Sequence, residues 1–97
     1  MNIQALMKQA QSLQKDMTKA KEEIDNTLFT GSNSFVTVKV NGKKEVLDIK
    51  IDTDSVDKDD IEMLQDILMV ALNNAFSEVD KVTEQKMSKY ANIPGLF

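Results

Sequence analysis

Between Ile3 and Ile24 the apolar residues Ile3, Leu6, Ala10, Leu13, Met17, Ala20 and Ile24 recur in alternating steps of three and four, the spacing of a helix that buries one stripe. With Ile3, Ala10, Met17 and Ile24 at one seam position and Leu6, Leu13 and Ala20 at the other, the stretch holds about three heptads. Gln, Lys, Glu and Ala fill the remaining positions, so intrinsic propensity supports the pattern. A helix of ~25 residues would extend about 37 Å, longer than the core of a small domain. It is predicted to end between Asn26 and Gly31, with a short strand around Thr27 to Thr30. The period then changes to two. Val36, Val38 and Val40 alternate with Phe35, Thr37 and Lys39, and beyond Asn41-Gly42 Leu47, Ile49 and Ile51 fall on one face, which predicts a β-hairpin. Read as a two-residue type I′ turn, Asn41-Gly42 pairs Val40 with Lys43 and places Val36 opposite Leu47. Ile61, Leu64, Ile67, Leu68, Ala71, Leu72, Ala75, Phe76, Val79 and Val82 restore the helical period. Asp57 is the expected N-cap of this second long helix, with Asp59, Asp60 and Glu62 in its first turn, where carboxylates meet the positive end of the helix dipole.

Composition narrows the function classes. The 97 residues are 41% hydrophobic and 29% charged, with three Gly and one Pro, which suits one folded α+β domain over residues 1–97 and no second core. The last residues, from about 90 to 97, are expected to form a tail, because Pro94-Gly95 ends a helix. Cysteine and histidine are absent, removing thiol chemistry, the usual proton shuttle and the commonest metal ligand. Without a glycine-rich phosphate loop or a Gly-x-Ser-x-Gly elbow, no catalytic residue, cofactor or small-molecule substrate is expected. The run from Asp52 to Asp60 is not a calcium loop: Val56 and Asp57 stand where a ligand and the glycine belong, and Met63 where the closing Glu belongs. The first residues, MNIQALMKQAQSLQK, lack a long apolar run, so a cytoplasmic chain without a membrane span is expected.

Several words along the chain are more specific. Leu6-Met7-Lys8-Gln9-Ala10-Gln11 stands near the start and Val36-x-Val38-x-Val40-Asn41-Gly42 at the hairpin. Glu62-Met63-Leu64-Gln65-Asp66 and Ala71-x-Asn73-x-Ala75 follow on the second helix, then Lys86-Met87 and Pro94-Gly95. In order and spacing, over almost the whole chain, these resemble the YbaB/EbfC nucleoid-associated family. The resemblance implies a tweezer-like homodimer built around a central antiparallel β-hairpin or three-stranded sheet, with a long N-terminal helix and a long C-terminal helix as arms. It further implies binding to double-stranded DNA in the bacterial nucleoid. Two amphipathic helices that outrun one small hairpin independently call for a partner chain over their apolar stripes.

The formal charge of -4 opposes DNA binding if only the total matters, but the charge is segregated. Residues 1–21 carry Lys8, Lys15, Lys19 and Lys21 against Asp16, and Lys81, Lys86 and Lys89 face only Glu84 after Asp80. Residues 45–66 hold nine acidic side chains and two lysines. Lys8, Lys15 and Lys19 share one helical stripe away from the heptad seam, and Lys81, Gln85 and Lys89 form a similar row. These seven lysines are the candidate DNA contacts, with Gln4, Gln9, Gln11 and Gln14 as adaptable neighbours. All basic residues are lysine, which excludes bidentate arginine readout of guanine and leaves non-directional neutralisation of phosphates. The bland reading of the same lysines is a solvated helix face. The alternative function is a helical protein-protein adaptor that grips its partner with arms or tail; Met7, Met17, Met63, Met69 and Met87 suit adaptable packing, although filling of the core or dimer seam accounts for them as well.

Overall fold

The structure, a computed structural model, describes residues 2–91. Helix α1 spans Ile3–Asp25, strands β1, β2 and β3 span Phe29–Asn33, Val36–Val40 and Val46–Ile51, and helix α2 spans Ile61–Ala91. The strands form one antiparallel sheet in the order β1-β2-β3. The described residues are 72 Å long and only 19 by 14 Å across, because both helices continue past the sheet.

α1 begins where Asn2 presents its side-chain oxygen to the backbone N–H groups of Gln4 and Ala5 at 3.1 and 3.4 Å, an N-cap that satisfies two otherwise unpaired donors. α2 begins one turn later than expected. Asp60, not Asp57, is its cap, accepting from the Met63 N–H at 3.1 Å. Asp57 instead accepts from the Asp59 N–H at 2.9 Å and organises the preceding turn, leaving only Glu62 as an acidic residue in the first helical turn. Asp52 caps a short 3-10 turn over Thr53–Ser55. A run of short carboxylates thus offers several competing caps, and backbone geometry chooses among them.

The hairpin between β2 and β3 exists, but its register differs from the expectation. Val40 pairs with Val46, Val38 with Ile49 and Val36 with Ile51, with a bulge beside Lys39/Val40 that leaves Leu47 as the extra residue. Asn41 and Gly42 do not adopt the positive φ that a type I′ turn needs; the left-handed residue of this loop is Lys44, at φ 62. The Asn41 N–H donates to the Glu45 carbonyl at 3.1 Å and the Lys44 N–H to the Asn41 carbonyl at 3.0 Å, while the Asn41 side chain accepts from the N–H groups of Lys43 and Glu45. Gly42 is required for a different reason: a Cβ there would collide with the Ile24 carbonyl at the end of α1. Packing against a distant element set this turn. A tighter turn joins β1 to β2 through Ser34, at φ 52, and Phe35, so the first strand is β1 over Phe29–Asn33, two residues later than expected.

α2 crosses β1 and β2 closely. A Cβ on Gly31 would meet the backbone of Ala71 and Ala75, and both alanines are fully buried, so three small residues let helix and strand backbones approach. Asn74 Nδ2 donates to the Ser32 carbonyl at 3.1 Å and fastens the helix to the strand. The core beneath is Ile24, Phe29, Val36, Val38, Val40, Ala71, Ala75 and Val79. β3 lies beyond this cover. Its register puts Val46, Ile49 and Ile51 on the face of Val40, Val38 and Val36, yet Val46 and Ile49 remain 44% and 43% exposed.

Candidate nucleic-acid interface

All seven candidate lysines lie on the two helices and all are exposed. At about 100° per residue, Lys8, Lys15 and Lys19 fall within about 40° of one another, on the side of α1 opposite the seam of Ile3, Leu6, Leu13, Met17 and Ile24. Lys21 does not join them; it stands four residues beyond Met17 and flanks the seam. On α2, Lys81, Gln85 and Lys89 follow one another in steps of four along an exposed row. Lys86 follows Gln85 directly, so it stands about 100° round the helix and off that row. The ammonium of Lys89 lies 5.2 Å from the centroid of the Tyr90 ring, a cation–π contact that fixes the stem near the helix surface.

An open hollow along α1 is lined by Gln11, Gln14, Lys15, Thr18, Lys19 and Glu22. It brings two of the predicted cations beside two of the predicted glutamines, with Glu22 marking the edge where the surface turns negative. Among the described residues the ion pair is Lys44 to Asp80, at 2.7 Å. None of the seven candidate lysines is tied up in it. Lys44 is a cation that sequence reasoning missed as a structural element: from the β2–β3 loop it reaches the middle of α2 and, with Gly42, joins loop, α1 and α2 at the base of the arms. The one signal for it is the mismatch between Asn-Gly and the true turn, which only tertiary contacts resolve.

The acidic side chains of residues 45–66 are all exposed at the sheet and at the start of α2. Glu62 and Lys86 are separated by about 36 Å of helix, several times the ~8 Å screening length at physiological salt. The acidic end therefore does not cancel the field of the lysine rows. Asp52 and Asp60 are engaged as caps and Asp57 in the turn before α2, and among the described residues no cluster has the makings of a metal site.

Residues 1–93 match the family model described as the YbaB/EbfC DNA-binding family. The chain belongs to this family. It is 46% identical over 99 residues to a nucleoid-associated protein of Ligilactobacillus salivarius, covering 99% of this chain and 95% of that one. It is 47% identical over 102 residues to a nucleoid-associated protein of Clostridium novyi, covering 100% and 90%. The crystal structure of HP0035 from Helicobacter pylori superposes with a TM-score of 0.75 at 25% identity, covering 93% of this chain and 97% of that one. A long helix, a three-stranded antiparallel sheet and a second long helix are thus the shared fold, and the YbaB/EbfC resemblance carried by the sequence words holds along the chain.

Proposed function

We propose that this YbaB/EbfC-family chain binds double-stranded DNA as a homodimer, mainly through phosphate contacts and without a chemical step, on the nucleoid in the cytoplasm. The observation that carries the reading is the exposed row of Lys8, Lys15 and Lys19 on the side of α1 that packing leaves free. Lys81 and Lys89 supply a second row, and Lys21 and Lys86 add charge at the flanks. Lysine ammonium groups neutralise phosphates and release counterions without reading base edges, so affinity is set by charge and duplex shape more than by sequence.

The homodimer is supported by β3. Its Val46 and Ile49 are 44% and 43% exposed and Leu47 is 57% exposed, at the end of the sheet that α2 leaves uncovered. A second copy meeting this surface about a two-fold axis would cover both sheets at once, and the helices would then project from a shared centre as paired lysine-bearing arms. No helix of the described residues is long and apolar enough to cross a membrane.

The test is an anisotropy titration on random-sequence duplex DNA at roughly 50 and 200 mM salt. Each phosphate neutralised is expected to contribute about 0.9 log unit of affinity per log unit of salt, so binding should be tight at the lower salt and collapse at the higher. No binding at either salt overturns the proposal and turns attention to the helical adaptor, whose grip on a protein would survive salt and fail on apolar arm substitutions.

A further inference from the structure

The sheet's two edges differ. At the β1 edge the Ser32 carbonyl accepts from Asn74 Nδ2 of α2, so a helix side chain already occupies it. At the β3 edge the direction of each backbone group follows from the pairing with β2. The Asp52 N–H donates to the Phe35 carbonyl at 3.0 Å, and Lys50 and Asp48 stand opposite Thr37 and Lys39. Hydrogen-bonded pairs alternate along an antiparallel ladder, so Asp52, Lys50 and Asp48 turn their backbone groups to β2, and Ile49 and Ile51 turn theirs outwards. Among the described residues β3 has no strand on that side.

Open edges are commonly guarded by charge, and β3 carries two exposed charges, Asp48 and Lys50. They are opposite in sign, two residues apart, and on the face away from Ile49. Neither enters the ion pair of the described residues, Lys44 to Asp80. A guard of mixed sign repels most partners and suits one. Against a second β3 running antiparallel about a two-fold axis, three registers keep Ile49 and the charges on their own faces. Centred on Asp48, the pairing sets Asp48 against itself. Centred on Lys50, it sets Lys50 against itself and Asp48 against Asp52. Centred on Ile49, it sets Asp48 against the partner's Lys50 twice, and the two Ile49 backbones exchange both hydrogen bonds.

We propose that β3 pairs with β3 of a second copy in the register centred on Ile49, so that one six-stranded sheet runs through the dimer. The proposal rests on the homodimer of the preceding reading and adds its axis and register. The same pairing covers the apolar face of β3. α2 packs on β1 and β2 but not on β3, so with strands about 4.8 Å apart the two α2 helices stand about 19 Å apart on one face of the joined sheet. A helix with its side chains is about 10–12 Å wide, which leaves a trough one side chain across. Val46 and Ile49 of both copies form its floor. Its walls are the flanks of α2 that carry Leu72 and Phe76, each about 160° round the helix from Asn74, which faces β1.

The chain lacks cysteine, so single thiols in the full chain report the register. Ile49→Cys should crosslink two chains, because an opposed hydrogen-bonded pair has its Cα atoms about 5.5 Å apart, inside disulfide range. Asp48→Cys and Lys50→Cys, opposed to themselves only in the rejected registers, should stay largely reduced. Equal yields from the three, a lead for either charged position, or no crosslink in a chain that light scattering shows to be a dimer would overturn the register and leave the homodimer standing. A monomeric unaltered chain would overturn both. Charge gives a second measurement. Lys50→Asp and Asp48→Lys each set like charges against one another twice and should weaken the dimer about tenfold. An equimolar mixture of the two variants should recover it as a heterodimer, since each strand of one sign then meets its opposite. Lys39, opposite Asp48 within the chain, is the same in both preparations. Variants and mixture that all dimerise like the unaltered chain would mean that the copies meet face to face, and would overturn the proposal.

Discussion

Gly31 and Gly42 answer to backbone that approaches from elsewhere in the chain. At Gly31 an added methyl group meets the helix backbone at Ala71 and Ala75, atoms that cannot rotate aside. Gly31→Ala is therefore expected to destabilise the fold by about 1–3 kcal/mol, read as a lower urea midpoint with an unchanged slope. The caps form a second case. Asp60 holds the Met63 N–H at the start of α2, whereas Asp57 serves a single exposed turn. Asp60→Ala should cost about 1 kcal/mol, and Asp57→Ala measurably less; the reverse order in thermal or urea unfolding would return the cap to Asp57. Both residues are Asp in a run of Asp, so one-dimensional reasoning has no means of ranking them.

Among the elements, α1 divides its circumference between two tasks. Its seam packs towards α2, and its opposite side presents Lys8, Lys15 and Lys19. Changing all three to Glu should abolish duplex binding while leaving helicity and dimer mass as they were, since none of them enters the core. Lys58→Glu, in the acidic stretch, should leave affinity within about twofold, because the ~8 Å screening length isolates it from the arms. Equal losses from both changes would mean that net charge, not the α1 row, governs binding. The lysine row was legible in the sequence, since helix periodicity alone sorts a stripe from its opposite side. The placing of Lys21 beside the seam and of Lys86 off the α2 row follows from the same arithmetic once the helices are known to be continuous.

The described residues form a long body, with nine acidic side chains gathered in residues 45–66 and seven exposed lysines along the two helices. β3 is the least covered strand, and a partner copy over Val46, Leu47 and Ile49 would complete the sheet's burial. Light scattering at micromolar concentration should give about twice the 10.9 kDa chain mass. Ile49→Asp combined with Val46→Asp should give a helical monomer, whose DNA affinity falls because one pair of arms replaces two. A dimer that survives both substitutions would move the interface away from β3.

Residue order by itself determined the two long helices, the β-hairpin between them and the family, because heptad spacing, strict alternation and short words in fixed order are local or additive signals. It also determined that the charge is divided along the chain. Tertiary structure alone decided the register. Asn41-Gly42 advertises a tight turn, but Gly42 must pass beside the Ile24 carbonyl, so the loop lengthens, Lys44 takes the left-handed conformation and Val36 pairs with Ile51 in place of Leu47. The same holds for which apolar residues are covered. Val38 and Ile49 look alike in sequence and face one another across the sheet, yet α2 is wide enough to bury only the first, and the second is left for another surface to meet.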